Sequence, residues 1–486
     1  MNRQFLGKVR IRSFHTKLSC IAGLISLTLG CELAIADTAP VLPPSNLLQG
    51  LSLPNNLPFP NAFGFAATYS TNGFIDLSNE FFQNLGTNGR SCVSCHQPQE
   101  NWTITPTGVR RRFNLTGGTD PLFRPNDGSN SPLADVSSVA ARRAAYSMLL
   151  NKGLIRVGIG IPASAEFELV AVDDPYGHAN AAELSLFRRP LPATNLKFLS
   201  TVMWDGRETF SGQTIHFDLA DQANSATLGH AQGATPLSDL QRQSIVDFET
   251  SINTAQIYDG SAGWLTALGA KGGPINVARQ NFYIGINDLF GDSQTHAPFN
   301  SVVFDLYNAW NGVSGGATLQ ARAAVARGQA LFNTKPIVIT GVSGINDEAA
   351  FGTPTSVNGT CTTCHDTPNA GNHSVVAPLN IGLADASRRT SDMPLYTLQN
   401  TNPLDTVNFG KTIQTTDPGR ALISGKWKHI GRFKGPILRG LAARAPYFHN
   451  GMAADLNAVV TFYQTRFNIG LTAQEQADLV AFLKTL

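Results

Sequence analysis

Cysteine is scarce in this chain, and neither sign of charge is in excess. Only six cysteines occur in 486 residues; Cys20 and Cys31 fall within the first 36, and the other four are confined to two pentapeptides. A disulfide-stapled scaffold is not expected from so few cysteines, all paired at close spacing. Lys and Arg number 36 against 34 Asp and Glu, for a net charge of +2. No basic surplus exists to neutralise phosphates, so no nucleic-acid partner is expected. Beyond residue 30 no apolar run is long enough to cross a bilayer, and no membrane span is expected. What is present is a globular composition, 42% hydrophobic and 14% charged. Its length suits two or three domains. The 45 glycines and 27 prolines predict long ordered loops between helices.

The start of the chain reads as an export signal. Arg3, Lys8, Arg10, Arg12 and Lys17 precede an apolar run over residues 20–30, and Ala34-Ile35-Ala36 fits a small-x-small cleavage site. Residues 1–36 are therefore expected to be a signal peptide, with Asp37 opening a mature periplasmic chain. The run is short for a membrane anchor. Gly30-Cys31 offers a lipoprotein cleavage point, but Thr28 and Leu29 fit that pattern poorly, and cleavage before Asp37 is preferred.

The four remaining cysteines form Cys92-Val93-Ser94-Cys95-His96 and Cys361-Thr362-Thr363-Cys364-His365. C-x-x-C-H is the attachment pattern of c-type haem. Each thiol adds to a vinyl group, and the adjacent imidazole supplies the proximal iron ligand. Disulfides, a redox dithiol and zinc are the rival readings. A redox dithiol does not need a His in both copies, and two distant Cys₂His half-sites are an unusual plan for zinc. Two copies behind an export signal, with no other mature cysteine, favour two covalently bound haems.

Residues 37–60 are rich in Pro and Asn and read as an extended arm. Residues 79–85 read as a short helix entering the first motif. After Trp102 the chain reads as loop, with Gly117-Gly118, Pro121, Pro125 and Asp127-Gly128 as breakers. Asp127-Gly128-Ser129-Asn130 lacks the ligands of a calcium loop and reads as a turn. Helices are expected over residues 136–151, 238–253 and 319–332, and a strand pair over 155–161 and 167–172. Ser314-Gly315-Gly316 marks a boundary. Thr472 with Glu475 forms a capping box for a last helix lined by Leu479, Phe482 and Leu483. A helix before each haem motif and one at the end match the class I cytochrome c plan. The expected fold is mainly α, with two class I cytochrome c-like haem domains. The first (61–315) is enlarged by loops and a small β insertion, and the second covers 316–486.

Three blocks now carry a resemblance. They are the two haem motifs with their preceding helices, Arg188-Arg189-Pro190 through Trp204-Asp205-Gly206-Arg207-Glu208, and Phe433-Lys434-Gly435-Pro436-Ile437-Leu438-Arg439 through Pro446-Tyr447-Phe448-His449-Asn450-Gly451 with residues 456–463. The sequence resembles the bacterial dihaem cytochrome c peroxidases and their relative MauG, over about half of the mature chain. The resemblance implies that hydrogen peroxide meets the N-terminal haem while the C-terminal haem stores or relays electrons. It places the sixth ligand of the second haem fourteen residues after His449, at Tyr463. The peroxidases carry Met there and MauG carries Tyr. Met452 and His449 compete for that role. An anionic phenolate favours oxidised iron, whereas a thioether raises the potential. No His lies between His96 and His178, so the first haem is expected to be open or water-bound. His178 reads as an ordinary surface or core His.

Trp204 corresponds to the family tryptophan between the haems, where an aromatic ring divides one long electron step into two. Trp102 and Trp427 read as packing residues. At the distal face the resemblance frays. Aligning past an insertion at residues 209–217 makes Gln222 the family Gln, and the acidic position falls on Gln232, which holds no carboxylate. The neighbouring His230 is the other candidate acid–base group. The resemblance further implies a calcium ion between the haems, held by carbonyls of Arg444 and Pro446 and by an Asn side chain whose position is Arg189 here. The expected function is a periplasmic peroxidase of MauG-like type, fed by an unidentified electron donor. A non-catalytic dihaem electron carrier and a MauG-like oxidase of a protein side chain are the alternatives.

Overall fold

The computed structural model describes residues 51–486. The expected signal peptide and residues 37–50 of the arm lie outside the described residues. Residues 51–60 are paired: Ser52–Pro54 runs antiparallel to Phe74–Asp76, and Phe59–Asn61 to Gly64–Ser70. The fold is 31% helical and 17% strand, so the mainly-α expectation is corrected to a mixed fold. The missing strands pair over long sequence distances. Gly64–Ser70 joins Ile252–Asp259 in a four-stranded sheet, and such partners leave no local turn signal.

The strand pair expected over 155–161 and 167–172 does not form as a hairpin. Ile155–Ile159 pairs with Leu184–Arg188. Phe167–Asp173 instead pairs with Leu395–Asn400 of the second half. Both strands are present, but each meets a distant partner. Leu184–Arg188 is buried throughout, and it carries Arg188 and then Arg189 into the interior.

The helix expected over 136–151 is two, Val139–Ala145 and Ser147–Lys152. Asn130 intrudes at the break. Its amide N–H donates to the Ala145 carbonyl at 2.7 Å, and its side chain accepts from Met148 N at 3.2 Å. Pro106–Thr116 is a helix where loop was expected, capped by Thr105, with Pro at its start and left-handed Gly117 at its end. That arrangement is a standard start and stop signal. Residues 79–85 make one 3₁₀ turn, Glu80–Phe82.

In the second half Ala317–Thr334 packs on Ala473–Leu483, whose Thr472–Glu475 capping box is formed. A Cβ on Gly328 would lie 1.9 Å from the Asp478 carbonyl oxygen, so glycine permits this close crossing. Phe304, Phe332, Phe482 and Tyr307 fill the core beside it. No described helix is long and apolar enough to cross a membrane.

Candidate haem sites

Both C-x-x-C-H segments adopt one local geometry. Cys92–Ser94 and Cys361–Thr363 are 3₁₀ turns. Ser91 N donates to Ser94 Oγ at 3.1 Å, and Thr360 N to Thr363 Oγ1 at 2.9 Å. The hydroxyl residues before the first Cys and before the second thus lock each turn. His96 Nδ1 bonds the Trp102 carbonyl at 3.0 Å, and His365 Nδ1 bonds the Gly371 carbonyl at 2.6 Å. In each case the acceptor is six residues on. With Nδ1 as donor, each ring keeps Nε2 as a neutral ligand atom. Trp102 is therefore more than packing, because its carbonyl sets the His96 ring. Phe81 lies 6.2 Å from His96, and Phe332 lies 5.8 Å from His365.

All four thiols are free. Burial raises each of them, Cys361 and Cys364 to about 12, which leaves them poor at dithiol exchange. Burial lowers His96 to about 4 and moves His365 the same way. Among the described residues no group of three or more His, Cys, Asp or Glu side chains could hold a metal. The zinc reading therefore has no cluster to rest on. Neutral imidazoles beside protonated thiols fit a covalently attached haem at each motif.

A cavity of about 1500 Å³, its open mouth included, adjoins the first motif. Cys92, Cys95 and His96 line one part of it. Ile215–Gly229, capped by Thr214, contributes Gln222 and runs into His230, so both side chains line the cavity. Gln232 does not. It sits at φ +54° beyond the helix end and bonds Asn88 at the surface. His230 is held by Asp127, with Nδ1 and Oδ2 2.5 Å apart, and Asp127 also pairs with Arg90. Arg90 is fixed in turn by the carbonyls of Pro121 and Leu122. Burial would raise the Asp127 carboxyl, but Arg90 and His230 outweigh it and hold it below its ordinary value. The segment read as a plain turn thus supplies a carboxylate that orients His230. Only the charge of Asp127 hinted at this in sequence.

Another wall is cationic. Arg189, Arg207, Lys434 and Arg444 line it together with Trp204. Burial and neighbouring Arg444 bring Lys434 down to about 7, and burial brings Arg189 and Arg444 to about 10. Of these, Arg207 pairs with Asp205, and Lys434 reaches only the Thr201 carbonyl, so Lys434 is the cation best placed to meet a haem propionate. Glu249 lines the cavity elsewhere; burial raises it to about 8, and its Oε2 has no partner. A lone Glu in an amphipathic helix carries no sequence signal, so Glu249 is legible only in the fold.

Trp204 Nε1 donates to the Arg189 carbonyl at 2.8 Å, and its ring meets His449 edge-on at 6.2 Å. His449 is buried, stacks on Phe433 at 3.9 Å, and has no hydrogen bond at either ring nitrogen. Tyr463 lies on Leu456–Phe467, stacked with Phe467 at 6.3 Å. Burial raises its phenol, and Cys364 and Cys361 are close enough to add to the shift. Tyr463 and the second motif are therefore neighbours. His178 faces Glu183 instead, at 3.4 Å. Arg189 Nη2 reaches the Arg444 carbonyl, one of the oxygens that the resemblance assigns to calcium.

No family model matches the chain. Among characterised proteins, cytochrome-c peroxidase IdrP1 of Denitromonas iodatirespirans is 33% identical over 142 residues, covering 26% of this chain and 36% of that protein. Cytochrome c551 peroxidase of Nitrosomonas europaea is 39% identical over 79 residues, 16% of this chain and 24% of that protein. The chain is thus similar to bacterial cytochrome c peroxidases over about a quarter of its length. It spans 36% of the length of IdrP1, so kinship to these peroxidases is shown over part of each protein. A solved MauG-like protein associated with microbial copper homeostasis superposes with TM-score 0.35 and 15% identity over 85% of this chain and 88% of that one. A score so low adds nothing on function.

Proposed function

We propose that this chain is a periplasmic dihaem c-type peroxidase of MauG-like type, built of two cytochrome c-like halves over 61–315 and 316–486. One haem is carried by Cys92, Cys95 and His96. Cys361, Cys364 and His365 would hold the other, and Tyr463 would be a further ligand to its iron. Hydrogen peroxide is the substrate, and an electron donor of the small redox-protein kind supplies two electrons. The cavity beside His96, with an Asp-oriented His230 on its wall, is the observation that carries the reading.

When bound, the first haem supplies the iron at which the O–O bond is broken. The chain's own residues handle protons and charge. His230 accepts a proton from peroxide and returns it to the departing oxygen, so that two protons and two electrons yield two waters. Asp127 keeps the His230 ring in one tautomer, with Nε2 available to the cavity. The Gln222 amide offers a hydrogen bond to the peroxide oxygens. Trp204, an aromatic ring against the cavity, relays electrons toward the second site. Its indole N–H is held by the Arg189 carbonyl, so the proton stays on the ring. Burial keeps the Tyr463 phenol protonated; as a ligand it would have to give up that proton, and the resulting anion would favour the oxidised form of that site.

Expression with full cytochrome maturation machinery tests this directly. Two haems should stay with the polypeptide through denaturation and acid–acetone extraction, and Cys361→Ala with Cys364→Ala should leave one. Adding peroxide should change the haem spectrum rapidly, and a reducing donor should restore it with consumption of peroxide. A protein with two low-spin, peroxide-inert haems would be an electron carrier instead.

A further inference from the structure

The backbone gathers four carbonyl oxygens at one buried point between the two halves. They belong to Ile104, Lys152, Gly153 and Arg444. Converging carbonyls of this kind are what a hard cation takes as ligands. Here the Arg189 guanidinium fills the point. Nη2 reaches Ile104 at 2.7 Å and Arg444 at 3.2 Å, and Nη1 reaches Lys152 and Gly153 at 3.1 Å each. Arg189 is 5% exposed.

We propose that the Arg189 side chain is a built-in cation that stands where the resemblance would put calcium, and that this junction is held together without a metal ion. Four of the five guanidinium protons' directions are spoken for, and a planar, permanently charged fork suits such a cage. A calcium ion would need the same oxygen lone pairs and would sit against a like charge. An Asn at this position would add a ligand oxygen; Arg adds donors and removes one. Gly153 supports the assignment independently. It lies at φ +62°, and a Cβ there would come within 2.0 Å of Arg189 Nη1. The chain has therefore left room for a guanidinium.

The position matters because the main chain of Arg189 holds the aromatic relay. Its N–H donates to the His449 carbonyl at 2.6 Å, and its carbonyl accepts from Trp204 Nε1. Side chain and backbone together tie the His449 segment of the second half to the Trp204 segment of the first. A fixed charge makes that tie independent of calcium concentration, unlike a bound ion.

The test uses the dihaem holoprotein and needs no peroxide, so its failure would leave the peroxidase reading untouched. After dialysis against calcium, wild type should hold no calcium above the buffer blank by elemental analysis. Its haem spectrum and thermal midpoint should be equal in EGTA and in excess calcium. One calcium per chain, whose removal shifts a haem band or the midpoint, would overturn the proposal. Arg189→Asn should gain one calcium per chain and a midpoint that climbs with calcium concentration, as mass action requires. A folded Arg189→Asn with no calcium response would also overturn it. Should that variant not fold, wild type and Arg189→Lys decide, because Arg189→Lys keeps a cation and should stay indifferent to calcium.

Discussion

Asp127→Asn separates the charge of one carboxylate from its shape, and two different losses should follow. The side chains of Arg90 and Asp127 are 3% and 8% exposed. Removing one partner of a buried ion pair costs about 3–5 kcal/mol. Arg90 keeps its bonds to the carbonyls of Pro121, Leu122 and His230, so the lower end, about 3 kcal/mol, is expected. The second loss is at His230. An amide can present its NH₂ where the carboxylate accepted, and the ring then loses its enforced tautomer. Loss of an orienting partner of this kind costs roughly 10–100-fold, or about 1.4–2.7 kcal/mol of barrier. His230→Ala removes the acid–base group altogether and should cost ~10²–10⁴-fold.

Stopped-flow absorbance after mixing with peroxide reads the rate, and thermal unfolding reads the stability. The pH dependence has a definite sign. The Asp127 carboxyl is depressed in the fold. Its contribution is therefore present above its unfolded value and is lost as pH falls through the lower folded one. The stability gap between wild type and Asp127→Asn should hold across neutral pH and close only below the ordinary carboxylate range. A wild-type peroxide rate in His230→Ala would refute the acid–base role. A slow His230→Ala beside a fast Asp127→Asn would refute the orienting role alone.

Three further outcomes are expected. Trp204→Phe should leave both haem spectra nearly unchanged, since a ring still fills the space against His449, while slowing redox communication between the haems; unchanged rapid-mixing kinetics would take Trp204 off the path. Tyr463→Met should replace an anionic ligand by a thioether, so redox titration should show the second haem's potential rising; an unaltered spectrum and potential would make Met452 or His449 the next candidate. Glu249→Gln should remove a pH-dependent instability. The Glu249 carboxyl is raised to about 8, so its neutral form is favoured in the fold, and that contribution is full below its unfolded value and lost as pH rises through about 8. Denaturation at pH 5 and pH 8.5 should therefore differ less in the variant than in wild type, by an amount on the order of several kcal/mol, and equal pH profiles would disprove the buried-acid description.

Local signals carried the elements they could reach. Ser238 with Gln241 and Thr472 with Glu475 are capping boxes, and the helices they start were legible. Thr105, Pro106 and Gly117 are equally local signals, but the glycines and prolines around them favour loop. Other features had no local trace. Nothing within residues 167–173 indicates a partner at 395–400, because strand pairing is decided by burial across more than two hundred residues of chain. Nothing near Asn130 announces that it will break a helix whose own residues favour continuity. At the site, helical periodicity explains why Gln222 and His230 share a wall. Two residues later the chain has left the helix, so counting along the family pattern carried Gln232 to the surface.

The strings that carry the family resemblance are held together by buried charge. Arg188 donates to Asp205 at 2.6 Å and to both Asp417 oxygens at 2.7 and 2.9 Å. Burial would lower the Arg188 guanidinium, but the two carboxylates outweigh it and raise it. Burial would likewise raise Asp205, yet Arg188 and Arg207 bring it down to about 2. Asp417 then lies 4.0 Å from His449, beside the ring that meets Trp204. One guanidinium thus bridges the turn that presents Trp204 and the loop that backs His449. Burying such a network is a poor way to gain stability. Its advantage is geometric, because hydrogen-bonded charges tolerate little displacement, and the relay proposed for Trp204 would depend on where its ring stands. Arg188, the last residue of one buried strand, and Arg189, the next, hold the Trp204 segment in two ways: one through the carboxylate of Asp205, the next residue along the chain, the other through its own backbone carbonyl.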